Sequence, residues 1–311
     1  MIETKTYRKI LSRIGLCFFM LMGLTQVLQG VGAALAAALC PQVMNSDWYI
    51  WVLSYVPLYC IAVPLFFLLM HWLLPASGPA PERNDLKPVQ FLLYLVLSFG
   101  GMYLFNIVTN VLMTLVSLAT GLESVNPLLQ VQQSSGLIWN ILFGCIIAPV
   151  GEELIFRKAL YAKAGILGDK CYVLLGGLVF SLFHGNLSQM IYAFALGVLF
   201  CYIYARTGRI IYTIALHVLV NAIGMVVAPM ALGNQIALGI LGMCVMAAIA
   251  GAIAIFCLNY RSIHLSPPVE ALPEHPVRNA LLNPGMLLYI LLCMCLVVIV
   301  ILSPLLMEAL A

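Results

Sequence analysis

The sequence contains few charged residues, and this scarcity excludes most classes of soluble protein. Aspartate, glutamate, lysine and arginine together make up 8% of the 311 residues, whereas hydrophobic residues make up 64%. A soluble domain typically has ~25% charged residues. The net charge of +3 is not concentrated in a basic cluster, which argues against a nucleic-acid-binding surface. The composition therefore predicts an integral membrane protein that lies in a lipid bilayer.

Several common functional patterns are also missing from the sequence. The ten cysteines include no C-x-x-C pair, so neither a zinc ribbon nor a disulfide framework is indicated. The zinc-protease motif H-E-x-x-H does not occur. We find no repeat of about 20–50 residues, and no second half that resembles the first. The last absence argues against the inverted-repeat plan of many transporters.

Long apolar stretches are what the chain has instead. Because a bilayer core needs about 20 apolar helical residues, we predict an all-α polytopic membrane protein with about nine transmembrane helices. The fifth and sixth of these are expected to be short, and the first is expected to be an uncleaved span rather than a signal peptide. The predicted spans are roughly 14–39, 48–75, 89–118, 136–164, 171–184, 188–205, 210–231, 235–258 and 285–306.

The positions of lysine and arginine predict how the chain is oriented in the membrane. All 14 of these residues fall in connections of one side, whereas the connections of the other side contain none. Basic residues favour the cytoplasmic side, so we expect the N-terminus inside and the C-terminus outside. The polar linkers 76–87 and 259–284 are then cytoplasmic loops. The predicted inner segments are 1–13, 76–88, 157–170, 206–209 and 259–284.

One short stretch, GEELIFRK, places charge within the predicted fourth helix. A charge at bilayer depth costs at least ~2.5–3.5 kcal/mol, so such a group usually serves a function. Glu153 and Arg157 are four residues apart, so they share a helix face and can neutralise each other. Glu152 points about 100° away, which leaves one carboxylate free. Pro149 and Gly151 are expected to kink and thin the helix at this level.

Two histidines and an asparagine are expected near the depth of Glu152. His184 ends the short fifth helix, and His217 lies about eight residues into the seventh, with Asn221 one turn further along. From the helical rise, the depths of Glu152, His184 and His217 agree within about 10 Å. We therefore predict a single site, although an isolated histidine or asparagine in a membrane helix can also be a simple interhelical contact.

A carboxylate, two imidazoles and a carboxamide are a set of groups suited to hydrolysis. The glutamate can take a proton from water while a histidine holds that water. The second histidine and the asparagine can donate hydrogen bonds to the oxyanion of a tetrahedral intermediate. As an alternative, a zinc ion could be bound by Glu152, His184 and His217 from three separate helices.

The same residues fall into three motifs that resemble those of a known family. The motifs are, in order, Glu152-Glu153-x-x-x-Arg157, Phe180-x-x-x-His184 and His217-x-x-x-Asn221. Over residues 137–230 they are similar to the CPBP family, which comprises CAAX prenyl proteases and bacteriocin-processing, Abi-type intramembrane endopeptidases. The helices outside this segment contribute nothing that we can assign to the family.

The resemblance implies a role for each motif residue. Glu152 would be the general base, His184 would orient the water, and His217 and Asn221 would line the oxyanion hole. Glu153, Arg157 and Phe180 would support the site. We expect no cofactor, with zinc as the alternative. The expected partner is a peptide or lipidated-protein substrate, and the expected location is a bacterial cytoplasmic membrane.

We predict three parts along the chain and keep two rival functions open. Three N-terminal transmembrane helices occupy 1–135, a catalytic core of four helices occupies 136–231, and two further helices with a cytoplasmic loop occupy 232–311. The first rival is a non-catalytic scaffold or immunity protein that keeps the protease fold. The second is a proton-coupled transporter that uses Glu152 and the histidines as a relay.

Overall fold

The computed structural model describes residues 1–75, 78, 80–122 and 126–310. These residues form helices and connections, with no strand among them. The long helices are α1 (Thr4–Leu39), α2 (Tyr49–Leu73), α3 (Pro88–Thr120), α4 (Leu137–Leu167), α5 (Asp169–Phe183), α6 (Leu187–Thr207), α7 (Ile210–Ala231), α8 (Gln235–Asn259) and α9 (Pro284–Leu310). Within the described part, all of these except α5 are long and apolar enough to cross a membrane. The all-α polytopic class is confirmed.

The helix lengths agree with the sequence prediction at α5 and differ at α6. Helix α5 has only 15 residues, as expected for a short fifth helix. Helix α6 has 21 residues, because it continues beyond the apolar stretch to Thr207 and ends at Gly208, which takes a left-handed conformation. The predicted loops 76–87 and 120–135 lie partly outside the described residues, at 76, 77, 79 and 123–125.

A further short helix, Pro127–Ser134, lies in a segment that we predicted to be a connection. Asn126 caps it by accepting a hydrogen bond from the Leu129 amide at 3.3 Å, and proline at its first position suits a helix start. The Gln132 side chain donates to the carbonyl of Met225 at 2.7 Å. The short helix is therefore attached to the far end of α7.

The hydrophobic core lies between α1, α2, α4, α5, α6 and α9. At its centre the Phe18 ring of α1 contacts Phe66, Phe156 and Tyr289, with centroid distances of 5.0, 5.4 and 5.7 Å. Helix α6 packs against both α5 and α3, and α7 packs against α4. This packing brings α4, α5, α6 and α7 together around one point. The division of the chain at 136 and 231 stays a prediction.

The turn between α5 and α6 sets the position of His184. Gly185 has a φ of +60°, a conformation that is strained for residues with a Cβ, and it ends α5 directly after His184. Asn186 then caps α6 by accepting a hydrogen bond from the Gln189 amide at 3.0 Å. The predicted end of the fifth helix at His184 is confirmed.

Candidate active site

Helix α4 carries both glutamates on a short regular segment between two irregular ones. Residues Ala148–Glu153 are α-helical, whereas Asn140–Ile147 and Leu154–Ala159 form wider, π-helical turns. Such turns are rare and often occur at functional sites. The helix type changes next to Pro149, the residue at which we predicted a kink.

Glu153 and Arg157 form a fully buried ion pair on α4. The Arg157 Nε lies 3.0 Å from Glu153 Oε2, and neither side chain is exposed. The N–H groups of the guanidinium are not aligned on an acceptor among the described residues, so the pair is a charge contact rather than a bidentate hydrogen bond. The guanidinium carbon instead lies 4.4 Å from the centroid of the Phe180 ring, which favours the buried cation.

His217 of α7 joins the two glutamates. Its Nδ1 donates to Glu153 Oε1 at 2.8 Å, and its Nε2 lies 3.6 Å from Glu152 Oε2. The second distance is too long for a hydrogen bond. The Glu152 side chain keeps 19% exposure whereas Glu153 has none. Glu152 is thus the carboxylate that remains free, and Glu153 is engaged on both of its oxygens.

His184 has one ring nitrogen occupied and one free for other contacts. Its Nδ1 lies 2.9 Å from the carbonyl oxygen of Phe180. Because a carbonyl oxygen can only accept, Nδ1 carries the hydrogen and Nε2 keeps its lone pair. The Phe180 ring lies edge-on to the rings of both His184 and His217, with centroid distances of 4.9 and 5.9 Å. The two imidazoles therefore flank one phenyl ring.

Asn221 is directed toward α4 rather than toward the histidines. Its Nδ2 donates to the carbonyl oxygen of Gly144 at 2.9 Å, in the π-helical part of α4. One hydrogen of the amide is thus used in holding α7 against α4. The other hydrogen and the amide oxygen have no such partner among the described residues.

Helix α2 packs against the segment of α4 that carries the glutamates. We did not predict this contact from the sequence. The ring of Tyr59 occupies the space that a Cβ at Gly151 would need. The Tyr59 hydroxyl lies 3.4 Å from the Ala148 carbonyl oxygen, and the Tyr55 ring lies 5.2 Å from the ring of Phe143 on α4. The signal that could have revealed α2 was its two tyrosines, one turn apart on a helix otherwise read as merely apolar.

The alternative zinc site at Glu152, His184 and His217 would require three ligands that converge on one point. In both histidines Nδ1 is engaged, with a carbonyl for His184 and a carboxylate for His217, as is usual for metal-bound imidazoles. However, no three His, Cys, Asp or Glu side chains among the described residues converge closely enough to hold an ion. We derive no step through a metal from this arrangement.

All seven motif residues fall within a segment that matches a known family. Residues 134–223 match the family model described as type II CAAX prenyl endopeptidase, Rce1-like. Over this segment the match agrees with the resemblance that the motifs predict. The matching segment is less than a third of the chain, and it begins just before α4 and ends within α7. No curated protein and no solved structure gave a match.

Proposed function

We propose that this protein is an intramembrane endopeptidase that hydrolyses a peptide bond with a water molecule activated by Glu152. The observation that carries the proposal is the contact of His217 with two carboxylates in different environments. Glu153 is buried and bound at 2.8 Å, whereas Glu152 is 3.6 Å away and partly exposed. A carboxylate that is free beside a fixed imidazole suits a general base. The family match over residues 134–223 supports this chemistry.

The attacking water would lie between Glu152 and His184. Glu152 takes one proton of the water, and the lone pair of His184 Nε2 accepts the other hydrogen, because Nδ1 is committed to the Phe180 carbonyl. The oxygen of the water then attacks the carbonyl carbon of the substrate. Glu152 delivers the proton to the departing amine when the carbon–nitrogen bond breaks, which returns the enzyme to its starting state.

Asn221 and His217 would stabilise the negative charge that develops on the substrate oxygen. Asn221 donates the amide hydrogen that Gly144 leaves free. His217 can donate from Nε2 only as an imidazolium, since its Nδ1 hydrogen goes to Glu153. The loss of one oxyanion donor typically costs about 100- to 1,000-fold in kcat.

Glu153, Arg157 and Phe180 would support this arrangement without touching the substrate. Glu153 fixes the orientation of the His217 ring, as carboxylates do for histidines in many hydrolytic sites. Arg157 neutralises Glu153 at 3.0 Å. Phe180 lies between the guanidinium and both imidazoles, so it keeps water away from the ion pair.

The proposed substrate is a peptide that reaches the site within the membrane. The matching family is described as a type II CAAX prenyl endopeptidase, so a prenylated CAAX-type peptide is the first candidate. A small bacteriocin-related peptide is the second. Both are consistent with a site that is built from membrane helices and partly open at Glu152.

The experiment is a cleavage assay on the purified protein in detergent, with a quenched prenylated CAAX-type peptide. Wild type is compared with Glu152→Ala and His184→Ala, each with and without a zinc chelator. Glu270→Ala, at an exposed glutamate of the 259–284 loop, is the matched control. We expect both site variants to lose cleavage and the control to retain it.

The remaining outcomes distinguish the alternatives. If cleavage continues in Glu152→Ala, the assignment of Glu152 as the base is wrong. If the chelator abolishes wild-type cleavage and zinc restores it, the metal-free mechanism is wrong and the zinc alternative is supported. If wild type cleaves neither the prenylated peptide nor a panel of unmodified peptides, the non-catalytic scaffold is favoured.

A further inference from the structure

Helix α2 contacts the glutamate-bearing turn of α4, although it lies outside the segment that matches the family. A methyl group at Gly151 would overlap the Tyr59 ring at Cε1, Cζ and the hydroxyl oxygen. The Tyr59 hydroxyl also donates a long hydrogen bond of 3.4 Å to the carbonyl oxygen of Ala148. Tyr59 thus touches Gly151, the residue before Glu152, and the carbonyl group of Ala148, which lies about one helical turn before Glu152.

The part of α4 that Tyr59 contacts is irregular, so its own backbone does little to fix the direction of the Glu152 side chain. Ala148–Glu153 is a short α-helical segment, and the turns on both sides of it are π-helical. A π-helical turn changes the angular offset between successive side chains, and Pro149 contributes no N–H group to the ladder. A contact on the Gly151 side therefore helps to fix the rotation of this segment about its axis, in addition to the bond between His217 of α7 and Glu153.

A second tyrosine extends the contact along both helices. Tyr55 lies one turn before Tyr59 on α2, and the two ring centroids are 5.3 Å apart. The Tyr55 ring also lies 5.2 Å from the ring of Phe143 on α4, edge to face, a geometry that aromatic pairs prefer. Helix α2 therefore contacts α4 on both sides of Pro149, at Phe143 and at Gly151.

We propose that Tyr59 is a positioning residue, whose ring against Gly151 and hydroxyl on Ala148 hold Glu152 where it can activate water. Helix α2 then belongs to the catalytic unit together with α4, α5 and α7. Gly151 is explained at the same time, because only a residue without a Cβ admits the Tyr59 ring at this point. The inference rests on the proposed hydrolytic function.

The test compares Tyr59→Phe, Gly151→Ala and the double variant Gly151→Ala with Tyr59→Ala. A misplacement of about 1 Å can cost ~100-fold in rate. Tyr59→Phe removes only one hydroxyl, which is a smaller change, so we expect its kcat to fall roughly tenfold with KM unchanged. Gly151→Ala should lose more, because the added methyl group displaces the Tyr59 ring. The double variant should recover part of that loss, since the smaller residue at 59 makes room.

Two control variants match these changes at places remote from Glu152. Tyr7→Phe removes a hydroxyl that donates to the Pro276 carbonyl oxygen at 3.3 Å near the start of α1. Gly101→Ala adds a methyl group to α3, where nothing lies within 4 Å of it. Both should retain wild-type kcat. Melting temperatures of all variants show whether a loss of rate reflects unfolding.

A second measurement, carbodiimide labelling of Glu152 followed by peptide mass spectrometry, does not depend on cleavage. Labelling should be faster in Tyr59→Phe than in wild type, because the freed segment exposes Glu152 more often, and unchanged in Tyr7→Phe. Wild-type kcat in both Tyr59→Phe and Gly151→Ala would overturn the inference. If wild type cleaves nothing, the proposed function fails, and equal labelling of Tyr59→Phe and wild type would separately refute the positioning role.

Discussion

At the scale of single residues, the adjacent glutamates differ because a helix turns by about 100° per residue. Glu153 faces Arg157 and His217 in a fully buried site. Glu152 faces the partly open side, near the tyrosines of α2. We therefore expect the carboxylate of Glu153 to contribute mainly to stability and the carboxylate of Glu152 mainly to reactivity.

This difference predicts opposite consequences for the two glutamine variants. Glu153→Gln leaves the Arg157 charge buried without its partner, which should cost about 3–5 kcal/mol of unfolding free energy. Glu152→Gln should abolish cleavage with a much smaller change in stability. Thermal unfolding in detergent measures the first effect and the peptide assay measures the second.

A double variant separates the ion pair from other contributions of Glu153. Replacing both charges by apolar or neutral groups is often far less costly than removing one of them. Glu153→Gln combined with Arg157→Met should therefore regain part of the melting temperature lost in Glu153→Gln alone. Equal melting temperatures for Glu152→Gln and Glu153→Gln would contradict this account.

The sequence was sufficient to predict the Glu153–Arg157 contact, because its spacing fixes a shared helix face within one element. It also indicated that Glu152, His184 and His217 lie at similar depths. It could not predict that His217 binds Glu153, nor that Asn221 donates to the Gly144 carbonyl. Those contacts depend on how α7 is rotated against α4, and the apolar surfaces of both helices allow more than one rotation.

At the scale of helices, α4 is fastened to its neighbours at the end remote from Arg157. The buried Asn140 side chain accepts hydrogen bonds from Trp51 Nε1 of α2 at 3.3 Å and from Ser135 Oγ at 3.0 Å. Its own amide donates to the Gln132 carbonyl oxygen at 3.0 Å. One side chain thus joins α2, α4 and the short helix Pro127–Ser134.

Replacing this asparagine should loosen three elements together. Asn140→Leu has a similar volume but leaves the Trp51 N–H without its acceptor and the Gln132 carbonyl oxygen without its donor, at a cost of about 1–3 kcal/mol. Asn110→Leu is the matched control, because Asn110 is exposed and its amide donates only to Asn106 of the same helix. Melting temperatures in detergent compare them, and an equally small shift in both would contradict the fastening role.

The predicted and observed helices differ where the length of an apolar stretch does not determine whether a helix forms. The end of α5 at His184 was predicted, and it depends on local backbone chemistry, because Gly185 takes a left-handed conformation that stops the helix. The short helix Pro127–Ser134 was missed, because eight residues with four polar side chains give no apolar stretch. Its position depends on the tertiary bond from Gln132 to the Met225 carbonyl oxygen, which no local pattern specifies.

At the scale of the whole molecule, the short helix α5 is the element that decides the topology. Its 15 residues span only about 22 Å, whereas a bilayer core is ~30 Å thick. If α5 counts as a crossing, seven helices from α2 to α8 separate Cys40 from the 259–284 loop. If it does not, six helices separate them. An odd number places the two points on opposite sides of the membrane, and an even number places them on the same side.

Cysteine labelling distinguishes these arrangements. Cys40 is exposed at the end of α1, on the side that lacks lysine and arginine, and His264 is exposed in the loop after α8. With the other exposed cysteines replaced by serine, a membrane-impermeant maleimide should label Cys40 in intact cells. His264→Cys in a Cys40→Ser background should be labelled only after the cells are opened, because the basic residues favour the cytoplasmic side. Labelling of both positions in intact cells would show that α5 does not cross, and His184 would then lie on a re-entrant helix.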